Sequence, residues 1–369
     1  MTAIKQWQQR LSAAMTAKTA AGLLRQRRLA NPRLDFSHND YLGLARDADV
    51  AAALAEGALT FGHGSTASPL ISGYTAAHQQ LEQGLCRASG QEAALLFCSG
   101  FSANGSLFKT LFGSAEVILA DKLMHASALD GIRDSGAKLV RFSHNDVASA
   151  RAQLQRLAAA DTPVSAIVTE SVFSMDGDEA PLVALKQLAL EFGCALIVDD
   201  AHGFGWRPLA VQPDLQLVTF GKALGGQGAA ILASQLVIDY LVSHSRAYIY
   251  STALSPASCV AVNVALDKAQ QGATRAQLMD NIAYFREVAV ALGIEIMPSH
   301  TPIQGVLTRD IERTLSIAYQ LREQGIAVGA IRPPTVPQGL CRLRITLSVA
   351  HQPRDIQQLL TALAQALGC

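Results

Sequence analysis

Between about residues 93 and 233 the chain alternates short apolar runs with stretches whose apolar residues recur every three or four positions. The runs at 93–97, 117–120, 138–142, 166–169, 195–198, 215–220 and 229–233 have the length of strands and are bounded by turn residues. Between them, 104–111, 147–160 and 182–192 carry helical spacing. Alternation of this kind predicts an α/β domain, its mostly parallel sheet covered by helices on both faces. Past about residue 275 the pattern restarts. Helices are expected at 275–292, 311–324 and 353–367, and strands at 303–308, 326–330 and 342–347. This second pattern is that of a smaller α+β domain. At the other end, Ile4, Trp7, Leu11 and Met15, then Leu23 and Leu24, mark an amphipathic arm. The expected division is an N-terminal arm and segment over 1–45, a large α/β domain over 46–270, and a small C-terminal α+β domain over 271–369.

Composition narrows the class. Half of the 369 residues are hydrophobic and 16% are charged, which fits a globular enzyme and argues against disorder. Lys+Arg and Asp+Glu each total 30, so no broad basic face for nucleic acid is implied. Cys86, Cys98, Cys194, Cys259, Cys341 and Cys369 form no C-x-x-C pair. Their scatter fits free thiols in a reducing compartment, with neither a disulfide framework nor a zinc site. The N-terminus lacks an apolar signal core, and no apolar stretch approaches the roughly 20 residues that span a bilayer. The expectation is a soluble cytoplasmic protein with no metal, nucleic-acid or membrane partner.

Ligands of open α/β sheets bind beyond the carboxyl ends of the strands, so those ends hold the candidate chemistry. Lys222 follows the apolar run 215–220 and precedes the glycines Gly225, Gly226 and Gly228. On its own such a lysine is most often a surface residue. In a packed, partly desolvated crevice it can lose its proton and attack a carbonyl, forming a Schiff base. Asp199 and Asp200 end the run 195–198, with His202 two residues on; alone, the acids read equally well as a capping or turn pair, and the histidine is more often structural. Lys222 lies 23 residues after Asp199, with one strand-like run between, so two neighbouring strand ends can bring Asp199, His202 and Lys222 together. A lysine, a carboxylate and an imidazole are what pyridoxal phosphate requires. The lysine bonds its aldehyde, the carboxylate keeps the pyridine nitrogen protonated, and the imidazole meets the phenolic oxygen. Ser99-Gly100-Phe101-Ser102-Ala103-Asn104 follows a strand and opens a helix, a place where free N–H groups meet a phosphate. Thr219 can add a hydroxyl, and His125 is the candidate wall for a flat ring.

Together these residues resemble a known family, the α-oxoamine synthases within the class II pyridoxal-phosphate aminotransferase-like enzymes. Segments similar to theirs include Asn39-Asp40-Tyr41-Leu42-Gly43-Leu44, Gly73-Tyr74 with His78 and Leu81-Glu82, and Ser99-Gly100-Phe101. The run from Thr169 through Glu170, Ser174 and Met175 to Asp178 is another, as are Val198-Asp199-Asp200-Ala201-His202-Gly203, Tyr250-Ser251-Thr252 and the lysine stretch 219–228. The resemblance implies the aspartate aminotransferase-like fold type I. It also implies that Lys222 anchors the cofactor, that Asp199 pairs with the pyridine nitrogen, and that His202 and Ser174 bond the phenolic oxygen. His125 would stack on the ring and assist catalysis, while Gly100, Phe101 and Thr219 serve the phosphate. Ser251 and Thr252 resemble a phosphate contact donated by the neighbouring subunit, which implies a homodimer with shared active sites. Arg332 would grip the substrate carboxylate with its planar fork, and Arg25, Asn39 and Thr335 match further substrate contacts.

The stretch Ile331-Arg332-Pro333-Pro334-Thr335-Val336-Pro337 most resembles the branch of biotin biosynthesis that condenses L-alanine with a pimeloyl thioester, on coenzyme A or acyl carrier protein. Two departures from the family's pattern stand out: the segment 29–36 and the loop 204–208 are both short. Three other readings compete. A relative condensing glycine with acetyl- or succinyl-CoA shares the cofactor residues, but the stretch 331–337 argues against it. A non-catalytic pyridoxal-phosphate-binding protein has no need for Arg332. A dinucleotide enzyme is suggested only by Gly62-His63-Gly64-Ser65-Thr66-Ala67, which follows a helical pattern where that motif requires a strand.

Overall fold

The computed structural model describes residues 2–25, 27, 29 and 31–368. The chain divides into two compact units. The larger comprises 39–280 with 348–350; the other comprises the segment up to His38 with 281–347 and 351–369. Cys86, Cys98, Cys194, Cys259 and Cys341 are free thiols. Cys369, and Gln26, Arg28 and Ala30 of the arm, lie outside the described residues.

The larger unit is built on seven strands: β1 (Ala93–Phe97), β2 (Val117–Asp121), β3 (Lys138–Phe142), β4 (Ala166–Glu170), β5 (Ala195–Asp199), β6 (Leu215–Thr219) and β7 (Ala229–Ala233). Their order is β1-β7-β6-β5-β4-β2-β3. All neighbours run parallel except β7, which is antiparallel to both β1 and β6. Five of the seven are buried at every residue, which is why they read as unbroken apolar runs and not as alternation. The sheet's two faces pack separate cores. Ala166 and Val168 of β4 join Leu107, Phe108 and Ile132 on one face. Ile167 between them joins Leu154, Leu185 and Leu188 on the other, as the two-residue period of a strand dictates. Truncating any of these fully buried leucines to alanine costs about 2–5 kcal/mol.

β2, β4 and β5 each run one residue past the expected end, into Asp121, Glu170 and Asp199. The backbone continues the ladder while each carboxylate finds partners at the strand's end. Glu170 stands in register with Asp199, and Asp199 with Leu217. The helix Gly100–Leu111 starts four residues earlier than its apolar spacing indicates, because the Ser99 hydroxyl caps the Ser102 N–H at 3.1 Å. The motif 62–67 follows the helix Ala48–Phe61.

In the other unit β8 (Ile303–Arg309), β9 (Gly329–Ile331) and β10 (Cys341–Thr346) form an antiparallel sheet in the order β9-β10-β8. The helices Ile311–Glu323 and Pro353–Leu367 belong to the same unit. The strand expected over 326–330 is two strands. Ile326–Ala327 pairs in parallel with Leu34–Asp35, and Gly329–Ile331 pairs with β10. Bonds from Leu34 N–H to Gly325 O (3.0 Å) and Phe36 N–H to Ala327 O (2.9 Å) hold the first half to the N-terminal segment. The arm forms the helix Ala3–Ala20, with no buried residue.

Candidate active site

The parallel strands bring the carboxyl ends of β2, β4, β5 and β6 to one edge of the sheet, and β1 delivers Ser99 and Gly100 to that same edge. A pocket of about 320 Å³ opens there. Gly100, Phe101, His125, Ser174, Asp199, His202, Thr219 and Lys222 all line it. From Gly100 to Lys222 these eight span 122 residues of sequence.

Each is held by its local structure. Asp199 accepts from Asn104 Nδ2 at 2.8 Å and from the Ala201 N–H at 3.1 Å. Asn104 also reaches Ser127 Oγ at 3.0 Å. His125 caps the helix Ala126–Ser135 and its Nδ1 lies 2.7 Å from Ser127 Oγ, so one hydroxyl links the wall residue to the carboxylate's support. His202 Nδ1 is 2.6 Å from the buried Tyr41 hydroxyl, which lies 3.5 Å from Asn39 Oδ1. Lys222 Nζ is 3.4 Å from Thr219 Oγ1. Gly225 is left-handed (φ 63°), and a Cβ there would stand 2.2 Å from the Ala45 nitrogen, so the turn after Lys222 needs glycine.

Carboxyl chemistry is sorted by burial. Glu170 is fully enclosed beside Asp199; burial first, then the Asp199 charge, push its carboxyl well above the usual range. Asp200 is pushed up to about 7 by burial, against bonds from Ser171 Oγ (2.5 Å) and Gln216 Nε2 (2.7 Å).

The remaining expected residues lie elsewhere. Ser251 and Thr252 line a separate small hollow with Ser102 and Leu254. Asn39 belongs to the same unit as the pocket. Arg25, Arg332 and Thr335 belong to the other unit. There Arg25 Nη2 donates to Thr335 Oγ1 at 3.1 Å, and Arg332 donates from Nε to Gly22 O (3.0 Å) and from Nη2 to Leu24 O (3.2 Å). Tyr41, Asn104, Ser127, Glu170 and His144 were not singled out from the sequence. Asn104 did leave a signal: a polar residue on the buried stripe of Ala103, Leu107 and Phe108. Glu170 left another, as a charge ending an otherwise uncharged strand. His144, with Asp176 and Asp178, forms a cluster whose ligand-type atoms lie within 4.8 Å of one another. A larger hollow of about 720 Å³, beside Tyr74, Glu82 and Asp239, contains none of the eight.

Fold and pocket together define the aminotransferase class, and the chain belongs to it: the family described as "Aminotransferase class I and II" matches residues 31–363. Within that class, the chain is 48% identical over 344 residues to the 8-amino-7-oxononanoate synthase of Sodalis glossinidius (90% of this chain, 88% of the relative). It is 44% identical over 380 residues to the enzyme of that name from Yersinia pestis (97% and 98%). Among solved structures it resembles 8-amino-7-oxononanoate synthase from Francisella tularensis (31% identity, TM-score 0.76, 91% and 98% covered). It also resembles the serine palmitoyltransferase of Sphingomonas wittichii (25%, TM-score 0.89, 99% and 98%). A further match is an SPT solved with its PLP (26%, TM-score 0.89, 99% and 98%). No helix among the described residues is long and apolar enough to cross a membrane.

Proposed function

We propose that this chain is a pyridoxal-phosphate-dependent acyltransferase of biotin synthesis. It condenses L-alanine with a pimeloyl thioester, releasing the carrier thiol and carbon dioxide, and so acts as an 8-amino-7-oxononanoate synthase. The observation that carries this reading is the 44–48% identity to curated relatives of that name over most of the chain. The serine palmitoyltransferases match the fold with a higher TM-score but at only 25–26% identity, so they speak for the class and not for the substrate.

The pocket fits the cofactor. A Cβ on Gly100 would lie 2.6 Å from Thr219 Cγ2, so the chain keeps a cradle clear at the start of a helix, where unpaired N–H groups face an anion. Asp199, supported by Asn104, is the carboxylate for a pyridinium. When bound, pyridoxal phosphate supplies the sink for the electron pair left at the amino acid's Cα.

The chain's own residues do the rest. Lys222 Nζ would hold the cofactor's aldehyde carbon, and its free amine would be the base for the Cα proton. Asp199 holds a proton at the pyridine nitrogen. His202 and Ser174 would orient the phenolic oxygen, and Tyr41 fixes the His202 ring by its Nδ1. His125 covers the ring face and helps protonate oxygen. Gly100, Phe101 and Thr219 receive the phosphate. In the homodimer, Ser251 and Thr252 complete the neighbouring subunit's phosphate site. Arg332 takes the alanine carboxylate, with Arg25, Asn39 and Thr335 as further substrate contacts.

Purified protein with pyridoxal phosphate is expected to release thiol from pimeloyl-CoA or pimeloyl-acyl carrier protein with L-alanine. It is expected to do so far less with glycine and acetyl- or succinyl-CoA. Turnover confined to glycine and acetyl-CoA would overturn the substrate assignment. Borohydride reduction is expected to trap the cofactor on Lys222, and Lys222→Ala to abolish both trapping and turnover.

A further inference from the structure

The imidazole of His144 lies between two aspartates, one at a strand end and one in a loop. Its Nδ1 is 3.0 Å from Asp121 Oδ1, and its Nε2 is 2.7 Å from Asp178 Oδ2. Asp121 is the buried last residue of β2, at the start of the turn into His125. Its Oδ1 accepts the Leu123 N–H at 2.8 Å and its carbonyl the Met124 N–H at 3.3 Å. Asp178 closes the loop after β4 that carries Phe173 and Ser174. Within that loop the Phe173 N–H donates to Asp178 O at 2.9 Å, and the Gly177 N–H to Phe173 O at 2.8 Å. The His144 ring stands edge-on to Phe173, centroids 4.4 Å apart at 89°.

Asn145 repeats the bridge. Its backbone N–H donates to Asp121 Oδ2 at 2.9 Å and its side-chain amide to Asp178 Oδ2 at 2.7 Å. Two adjacent residues thus bind the same two carboxylates four times. Asn145 takes the left-handed conformation (φ 53°) that this bracket requires, one that asparagine tolerates better than most residues.

The geometry also sets the charge. Neutral imidazole has one N–H, and here both ring nitrogens face carboxylate oxygens, so each needs a proton. Burial alone would depress the imidazole, but the bonds to Asp121 and Asp178 outweigh it and raise it to about 9. The groups facing the ring are Asp121 from β2, Asp176 and Asp178 from the loop after β4, and the uncharged Asn145 and Phe173.

We propose that His144 is a positioning residue that locks the turn bearing His125 to the loop bearing Ser174 through Asp121 and Asp178. This rests on reading the pocket as the pyridoxal-phosphate site, with Ser174 on the phenolic oxygen.

The test compares wild-type protein, H144Q, S174A and the double variant. Without cofactor, hydrogen exchange of H144Q at pH 7 is expected to quicken in both 121–125 and 171–178 and to stay unchanged in β6 and β7. In nitrogen-resolved NMR, wild-type His144 is expected to titrate well above pH 8. With pyridoxal phosphate followed by absorbance, H144Q is expected to bind about tenfold more weakly, the scale of one lost charge-assisted bond. In the S174A background the same change is expected to cost clearly less, since one of the two contacts it positions is gone. Wild-type affinity is expected to show a step near pH 9 that H144Q lacks. The proposal is overturned if exchange quickens in only one segment, if His144 titrates near 6.5, or if the H144Q loss is undiminished in S174A. Should H144Q fail to fold, D178N takes its place in every arm with the same expectations. Wild-type protein that takes up no pyridoxal phosphate would overturn the proposed function instead, while the exchange arm, which needs no cofactor, still decides the bracket.

Discussion

Asp199 is buried at the end of β5 and depends on two donors, the Asn104 amide and the Ala201 N–H. A buried carboxylate one donor short is unfavourable, because bonds to charged groups contribute about 1.5–3 kcal/mol each. Asn104→Ala is therefore expected to lower affinity for pyridoxal phosphate about 10- to 100-fold, read by absorbance titration, with the fold retained by circular dichroism. Unchanged affinity would remove Asn104 from the site. Gly100 poses a steric question. Thr219 is β-branched and buried, so its methyl cannot easily swing away from a Cβ placed 2.6 Å off. Gly100→Ala is expected to destabilise the protein by about 1–3 kcal/mol and to weaken cofactor binding as well. Urea unfolding and the same titration check the two parts separately, and a full-affinity variant would mean the cradle is wider than the geometry indicates.

Among elements, the helix Gly100–Leu111 bears most directly on the site, since its first turn faces the pocket and Asn104 projects from its second. Its start depends on the Ser99 cap, and Ser99→Ala is expected to cost about 1 kcal/mol in urea unfolding. A loss below a few tenths would show that the strand–helix turn holds the start without the hydroxyl. The same element shows what a sequence can and cannot reveal. Its apolar spacing gave the end at Leu111 but not the start, because the first turn is Gly100, Phe101 and Ser102, with no apolar period to read. The central strands were legible because burial on both faces writes itself as apolar runs. Their last residues were not, since an acid in the ladder looks like a loop residue. The segment 326–331 reads as one strand, although its halves pair with different partners, because periodicity records facing and not pairing. Lys222, Asp199, His202 and Gly100 could be placed at strand ends by topology alone. His144 could not: its meaning lies in two carboxylates, 23 residues before it and 34 after, and no local pattern joins them.

At the scale of the molecule, the unit that contains the N-terminal segment is drawn together around a neutral histidine. His351 stacks on Phe36 with centroids 3.9 Å apart at 21°, and its Nε2 donates to Asp35 O at 2.9 Å. The Thr346 N–H donates to Phe36 O at 2.8 Å, and Asn281 Nδ2 to His351 O at 2.9 Å, so strand β10 and the chain near Asn281 meet at the same point. The ring is 5% exposed, and burial pulls its titration down to about 4, with the nearby His38 adding to the pull and Asp35 and Asp355 opposing it. The folded state therefore keeps His351 neutral across a range where the unfolded chain, titrating near 6.5, binds a proton. Between those two values the unfolded state holds more protons, so stability is intact above about 6.5 and falls as pH drops toward 4. One pKa unit is worth about 1.4 kcal/mol, which puts the loss by pH 4.5 at about 2–3 kcal/mol. Urea unfolding of this unit at pH 7.5 and 4.5, for wild type and His351→Asn, isolates that share from the other carboxyl and histidine titrations. The wild-type protein is expected to lose about 2 kcal/mol more than the variant over that interval, even though the variant starts less stable. Equal losses in the two proteins would mean that His351 already carries its proton in the folded chain, and the stacked neutral ring would then be the wrong account of how the N-terminal segment is held.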